Sequence, residues 1–363
     1  MKTKPFFISL VFGIVGLLLF LWGTHPSSVK EIDKHIQRFE FLSQPYHIDR
    51  KYKSMKGPSG KESIVLQKDV KAPELLWIVS YRSRMVGEDG STPMPEEFMC
   101  HSNLDFNLES RNVAFGRTTN EIRRISTLSQ GLFSVRFPPG FGIPVMSYEL
   151  LDIETQVLNL NLPNPNVTVR HKVTIEYIRD RDLKRPLKSL LTVGAQGLVL
   201  VEGNNPFYDL SPDESQEHGP GCLIGETAHP TQARYTDRFG NRFTGHWVVK
   251  PGREVNTTLA TKFMNIPFDT TVHHIAVHLH PLAESLELRD RTTGKTVFKS
   301  YAENFKKGLG LSRVDTFSSR KGLPIYKNHE YEIISVYNNT ASEDQDAMAV
   351  MVLFLFDKSF KKP

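Results

Sequence analysis

Cysteine is scarce: Cys100 and Cys222 are the only two in 363 residues. At most one disulfide can form, and two free thiols fit the sequence equally well, so crosslinks do not stand in for a hydrophobic core. Runs of Lys and Arg with interleaved aromatics are missing. The net charge of +5 is scattered along the chain, which gives no case for nucleic acid as a partner. Beyond the amino-terminal segment no long stretch repeats its apolar residues every 3.6 positions, which removes the helical fold classes. No Ala-x-Ala pattern follows the first apolar run, which argues against a cleaved leader.

What is present is a folded, turn-rich composition, 39% hydrophobic and 23% charged with 22 Pro and 24 Gly. Lys2 and Lys4 precede an uncharged run over residues 5–23, close to the roughly 20 residues a spanning helix needs. This is read as an uncleaved signal-anchor over 1–23, with the amino terminus cytoplasmic and the globular part extracytoplasmic, periplasmic or extracellular. Residues 24–61 are polar and charged and read as a stalk, with a short helix expected over 29–42. From residue 62 short runs rich in Val, Ile, Leu and Tyr alternate with Gly, Pro, Asn and Asp. Strands are expected over 63–66, 75–81, 132–137, 155–160, 167–178 and 191–201, and later over 243–250, 256–265, 330–337 and 347–356. The last two are expected to form a hairpin. The fold class is all-β: two jelly-roll-like β-sandwich domains, 62–205 and 206–363, after the transmembrane helix and stalk. Sequons stand at Asn166, Asn256 and Asn338.

The chemistry is placed in the second half, on residues 271–290. Side chains along a strand alternate faces. His273, Ile275, Val277 and Leu279 take one face; His274, Ala276, His278 and His280 take the other. His278 and His280 are then neighbours on one face, about 6.5–7 Å apart at Cα, and two imidazoles so placed can converge on copper, zinc, iron or nickel. The bland alternative is a polar, wetted strand face. In the first half, Met99, Cys100, His101, Asn103 and Asp105 lie close together. A Cys or Met beside His101 suits a soft ion, against a strand edge with a buried Cys and a hydrogen-bonded His. Met348 opens the final apolar strand; a thioether joins imidazoles around Cu(I), though packing is the usual work of a Met. His218, Cys222 and His229 show no ligand spacing and read as loop residues.

His278-Leu279-His280 on a strand, the distant Met348, and the ending Asp344-Gln345-Asp346-Ala347-Met348 together resemble the copper type II, ascorbate-dependent monooxygenases of the peptidylglycine and dopamine type. Glu97 to Phe106, Gly245 to Gly252 and His278 to Asp290 look closest to the stress-up-regulated nodulin-type branch. The resemblance implies two jelly-roll domains with one copper each, His278, His280 and Met348 holding the oxygen-activating copper, and O₂ with a small-molecule or peptide substrate as partners. The first half departs from that pattern. Cys100-His101 stands where an adjacent histidine pair is expected, so only His101 survives, and Asn159 or Asn161 stands near the third position.

Four functions therefore compete. The first is a membrane-anchored copper protein of monooxygenase type, its second copper site degenerate. The second is a non-catalytic copper-binding or delivery module. The third is a cupin-like metalloprotein using His278, His280 and Glu284, although the flanking glycines of that motif are absent. The fourth is a metal-free adhesion domain.

Overall fold

A computed structural model describes residues 33–52, 54–67, 72–115, 122–200, 235–236 and 239–363. The amino-terminal apolar run, His218, Cys222 and His229 lie outside these residues. No helix among the described residues is long and apolar enough to cross a membrane.

The protein is all-β. One 11-stranded sheet runs through both halves of the chain. Its central path is Gln37–Leu42, Val167–Arg179, Leu75–Gly87, Phe141–Met146, Lys188–Gln196, Gln345–Phe356, Thr270–Leu279 and Phe317–Ile325. A four-stranded sheet (Ser59–Ile64, Leu151–Val157, Met99–Phe106, Arg124–Ser129) and a five-stranded sheet (Gly252–Leu259, Tyr331–Asn339, Ala283–Asp290, Lys295–Asn304, Leu311–Val314) complete two sandwiches. In the first core, Leu76, Ile78, Val173 and Ile175 of the large sheet meet Leu104, Phe106, Ile125 and Ile153 of the four-stranded one. In the second, Val193, Ile275, Val277 and Leu353 meet Leu286, Leu288 and Ile333. Burying each such side chain contributes roughly 1.5–3 kcal/mol.

The two central strands carry both cores. Met351, Leu353 and Leu355 face the second core, whereas Met348, Val350, Val352 and Phe354 of the same strand belong to the first. A strand covered on both faces has no need of polar alternation, and this explains the unbroken apolar run from Ala347 to Phe356. Thr270–Leu279 divides likewise, with Ile275 and Val277 in the second core and Ala276 in the first. The histidine-bearing face therefore lies in the seam between sandwiches, not on a wetted surface: His278 and His280 are each 4% exposed.

Several expectations are corrected. The described part of the 24–61 stalk is structured: Gln37–Leu42 and Tyr46–Ile48 pair with Val167–Arg179, and Ser59–Ile64 with Leu151–Val157. Phe39 and Phe41 turn to the first core while Arg38 and Glu40, alternating with them, face out, so an edge strand reads as a polar stretch. The same strand replaces the end of the helix expected over 29–42. Lys188–Gln196 joins the two halves: Lys188 and Ser189 pair with Phe141–Met146, residues 190–196 pair with Gln345–Phe356, and Leu190 packs in the first core while Val193 and Ala195 pack in the second. Tyr331–Asn339 and Gln345–Phe356 form no hairpin, because the intervening turn crosses from the five-stranded to the large sheet.

Candidate metal centre

Three adjacent strands build the centre. His246–Val249 pairs with one edge of Gln345–Phe356, with His246 opposite Met348. Thr270–Leu279 pairs with the other edge, ending at Leu279 opposite Ala349. The ladder stops there because Pro281 follows His280 and offers no N–H. In place of the next rung, the His280 N–H donates to the Tyr337 hydroxyl at 3.2 Å, and that hydroxyl donates to the Met348 carbonyl at 2.5 Å. His246 and Met348, as cross-strand partners, share a face, and Asp346, two residues before Met348, shares it too. At the other end Thr244 fixes the strand start: its Oγ1 accepts from the His246 N–H at 3.1 Å and donates to the His246 carbonyl at 3.0 Å.

The result is a convergence of His246, His280 and Asp346, all buried, whose potential ligand atoms lie within 4.8 Å of one another. His246 Nε2 is 2.8 Å from Asp346 Oδ2 and makes a hydrogen bond to it. His280 Nδ1 is 2.7 Å from the same oxygen, but that contact is too poorly aligned to be a hydrogen bond, and the nitrogen has no other partner. Two ring nitrogens therefore crowd one carboxylate oxygen and only one is satisfied. A cation relieves that arrangement, so these three residues fit a metal. Burial pushes the Asp346 carboxyl up, but the neighbouring His280 ring and the hydrogen bond from His246 outweigh it, holding the acid ionised well below its ordinary range.

His278 stands beside this group. Its Nδ1 is 2.9 Å from the Ser129 hydroxyl, across the seam on the first sandwich, and its ring is edge-on to that of His280, centroids 5.2 Å apart. Burial first, then the charges of His280, Arg124 and His246, push its pKa far down, so the ring is neutral. Ser129 is held by the tight turn that it forms with Leu132. That turn needs Gly131, whose φ is +82° and where a Cβ would meet Val314 Cγ2 at 2.8 Å.

The expected residues are distributed as follows. His280 is in the ligand group and His278 adjoins it. Met348 is 2% exposed and lies in register with His246. His101 is buried and opposite Ser129, the hydroxyl partner of His278. Cys100, at an irregularity of that strand, is a buried free thiol in the first core. Asn159 is occupied with the carbonyls of Arg50 and Leu162, and Asn161 with Leu309. Glu284 turns outward to Arg253 at 3.1 Å, so the cupin-like set of His278, His280 and Glu284 does not assemble. The unforeseen residues are His246 and Asp346. The strand parity of Asp346 with Met348 was the available signal for the acid; His246 carried none, because only the fold brings it across from Met348.

No known protein family matches the sequence, and no curated protein matches it either. Among solved structures, the STIV MCP is 11% identical, with 88% of this chain and 96% of that one covered, at a TM-score of 0.24. PBCV-1 VP54, fitted into a reconstruction of the virophage Sputnik, is 9% identical over 90% and 98% of the two chains, at 0.31. A Paenibacillus xanthan lyase is 11% identical over 88% of this chain and 25% of its own, at 0.19. At these scores the likeness carries no inference about fold or function.

Proposed function

We propose that the protein is a metal-binding protein whose ion is held in the seam between two β-sandwiches by His246, His280 and Asp346. The observation that carries this is the convergence of two buried imidazole nitrogens on one ionised carboxylate oxygen, one of them without an aligned partner. Two imidazoles and a carboxylate suit a divalent first-row ion such as zinc or iron(II), and leave coordination positions for other ligands. The uncharged run over residues 5–23 supports a membrane-tethered, extracytoplasmic placement.

A second reading keeps copper, as the resemblance to the ascorbate-dependent monooxygenases implies. Its support is Met348, which shares the face of the histidines and lies opposite His246. A thioether beside imidazoles favours Cu(I), and O₂ with an organic substrate would then be the partners.

Elemental analysis of purified full-length protein separates these. We expect about one zinc or iron per chain, lost in His246→Ala and His280→Ala alike. Copper in that place would select the second reading. Metal-free protein that gains no thermal stability from any of the three ions would remove both, since a ligand that binds only the native state raises its stability.

A further inference from the structure

His278 is the one imidazole at the centre that the ligand group does not use. It is 4% exposed. The Ser129 hydroxyl, 2.9 Å from Nδ1, fixes the ring from the opposite sandwich. Nε2, on the far edge of the ring, has no hydrogen-bond partner. A buried polar atom left unpaired costs about 1–3 kcal/mol, so a ring anchored at one nitrogen and bare at the other, edge-on to a ligand histidine, is arranged for a partner that arrives with the ion. Three protein donors are also the number used by reactive sites, which add a water or substrate; structural sites close with four.

We propose that the centre accepts a small exogenous ligand, a water or a small anion, and that His278 Nε2 is the hydrogen-bond partner that positions it. This rests on the metal centre proposed above. His278 is a positioning residue: it acts on the added ligand and does not hold the ion. Ser129 is its support, so the first sandwich contributes to a centre whose donors all lie after residue 245.

The probe is azide, added to full-length protein loaded with Co(II) and followed by visible absorption. Wild type is expected to bind about one cobalt and to change its spectrum saturably with azide. His278→Leu should retain the cobalt but bind azide about tenfold or more weakly, the effect of losing one hydrogen bond to a charged group. His278→Gln should recover part of the loss, and Ser129→Ala should fall between. A wild-type spectrum indifferent to azide overturns the proposal, as does wild-type azide affinity in His278→Leu. Loss of cobalt from His278→Leu overturns it differently, making the ring a fourth ligand. Should the leucine variant fail to fold, unchanged azide affinity in both His278→Gln and Ser129→Ala overturns the proposal. Failure of wild type to bind cobalt removes the metal centre itself, a result distinct from cobalt bound without an azide response.

Discussion

Replacing His274 with leucine should leave the protein at least as stable near neutral pH and less sensitive to acid. His274 lies on the seam face of Thr270–Leu279, between the rings of Phe137 and Phe354 at 5.9 and 5.5 Å. Neither ring nitrogen has a hydrogen-bond partner. Burial pushes its pKa from 6.5 down to about 4. Because the folded value is the lower one, acid protonates the unfolded chain first. The stability is complete above about 6.5 and drains away as pH falls towards 4. A gap of about 2.5 in pKa, at about 1.4 kcal/mol each, makes the whole effect about 3 kcal/mol, of which about 2 is spent by pH of about 5. Leucine fills a similar volume, does not titrate, and leaves no buried nitrogen unpaired, a gain of about 1 kcal/mol or more. His171, which burial likewise brings to about 4, contributes equally to both proteins and cancels. Urea unfolding at pH of about 7.5 and about 5 should therefore show the variant losing about 2 kcal/mol less than wild type. Equal losses, or a variant destabilised at the higher pH, would refute the claim that this ring sits neutral in a dry seam.

Three further outcomes follow from the same geometry. Tyr337→Phe strips the hydroxyl between the His280 N–H and the Met348 carbonyl and should cost about 2–4 kcal/mol through two unpaired buried groups; an unchanged thermal midpoint would show that the strands close without it. Glu284→Ala should leave metal content untouched, since that carboxylate is paired with Arg253 at 3.1 Å; loss of the ion would restore the cupin-like ligand set. Met348→Leu should keep the divalent ion and the fold, a volume-conserving change costing under about 1.5 kcal/mol, whereas loss of metal would make the thioether a ligand.

The apolar strands of the second half, such as Thr270–Leu279, Tyr331–Asn339 and Gln345–Phe356, were legible because their runs are bounded by turn residues, whereas Lys295–Asn304, Leu311–Val314 and Phe317–Ile325, rich in exposed polar residues, read as a polar segment and a turn. Lys188–Gln196, too, was visible as a strand, but its membership was not, because pairing to residues 350–356 is a long-range choice that leaves no local mark. Gln37–Leu42 was hidden by its outward charges. At the centre, strand parity placed His278 and His280 on one face correctly. What that face meets was not legible, since a sandwich joined edge to edge with another buries a face that would otherwise be wet. Glu284 illustrates the limit from the other side: it shares parity with the histidines in sequence, yet Pro281 and the left-handed Leu282, φ 71°, break the strand before it. Parity does not survive a turn.

X-ray absorption at the edge of the bound metal in full-length protein tests the central claim most directly. Coordination by His246, His280 and Asp346 predicts a first shell of nitrogen and oxygen at about 2.0–2.2 Å with the outer scattering of two imidazoles, and loss of the metal in Asp346→Ala. A sulfur shell at about 2.3 Å, or a signal unaltered by Asp346→Ala, would contradict it.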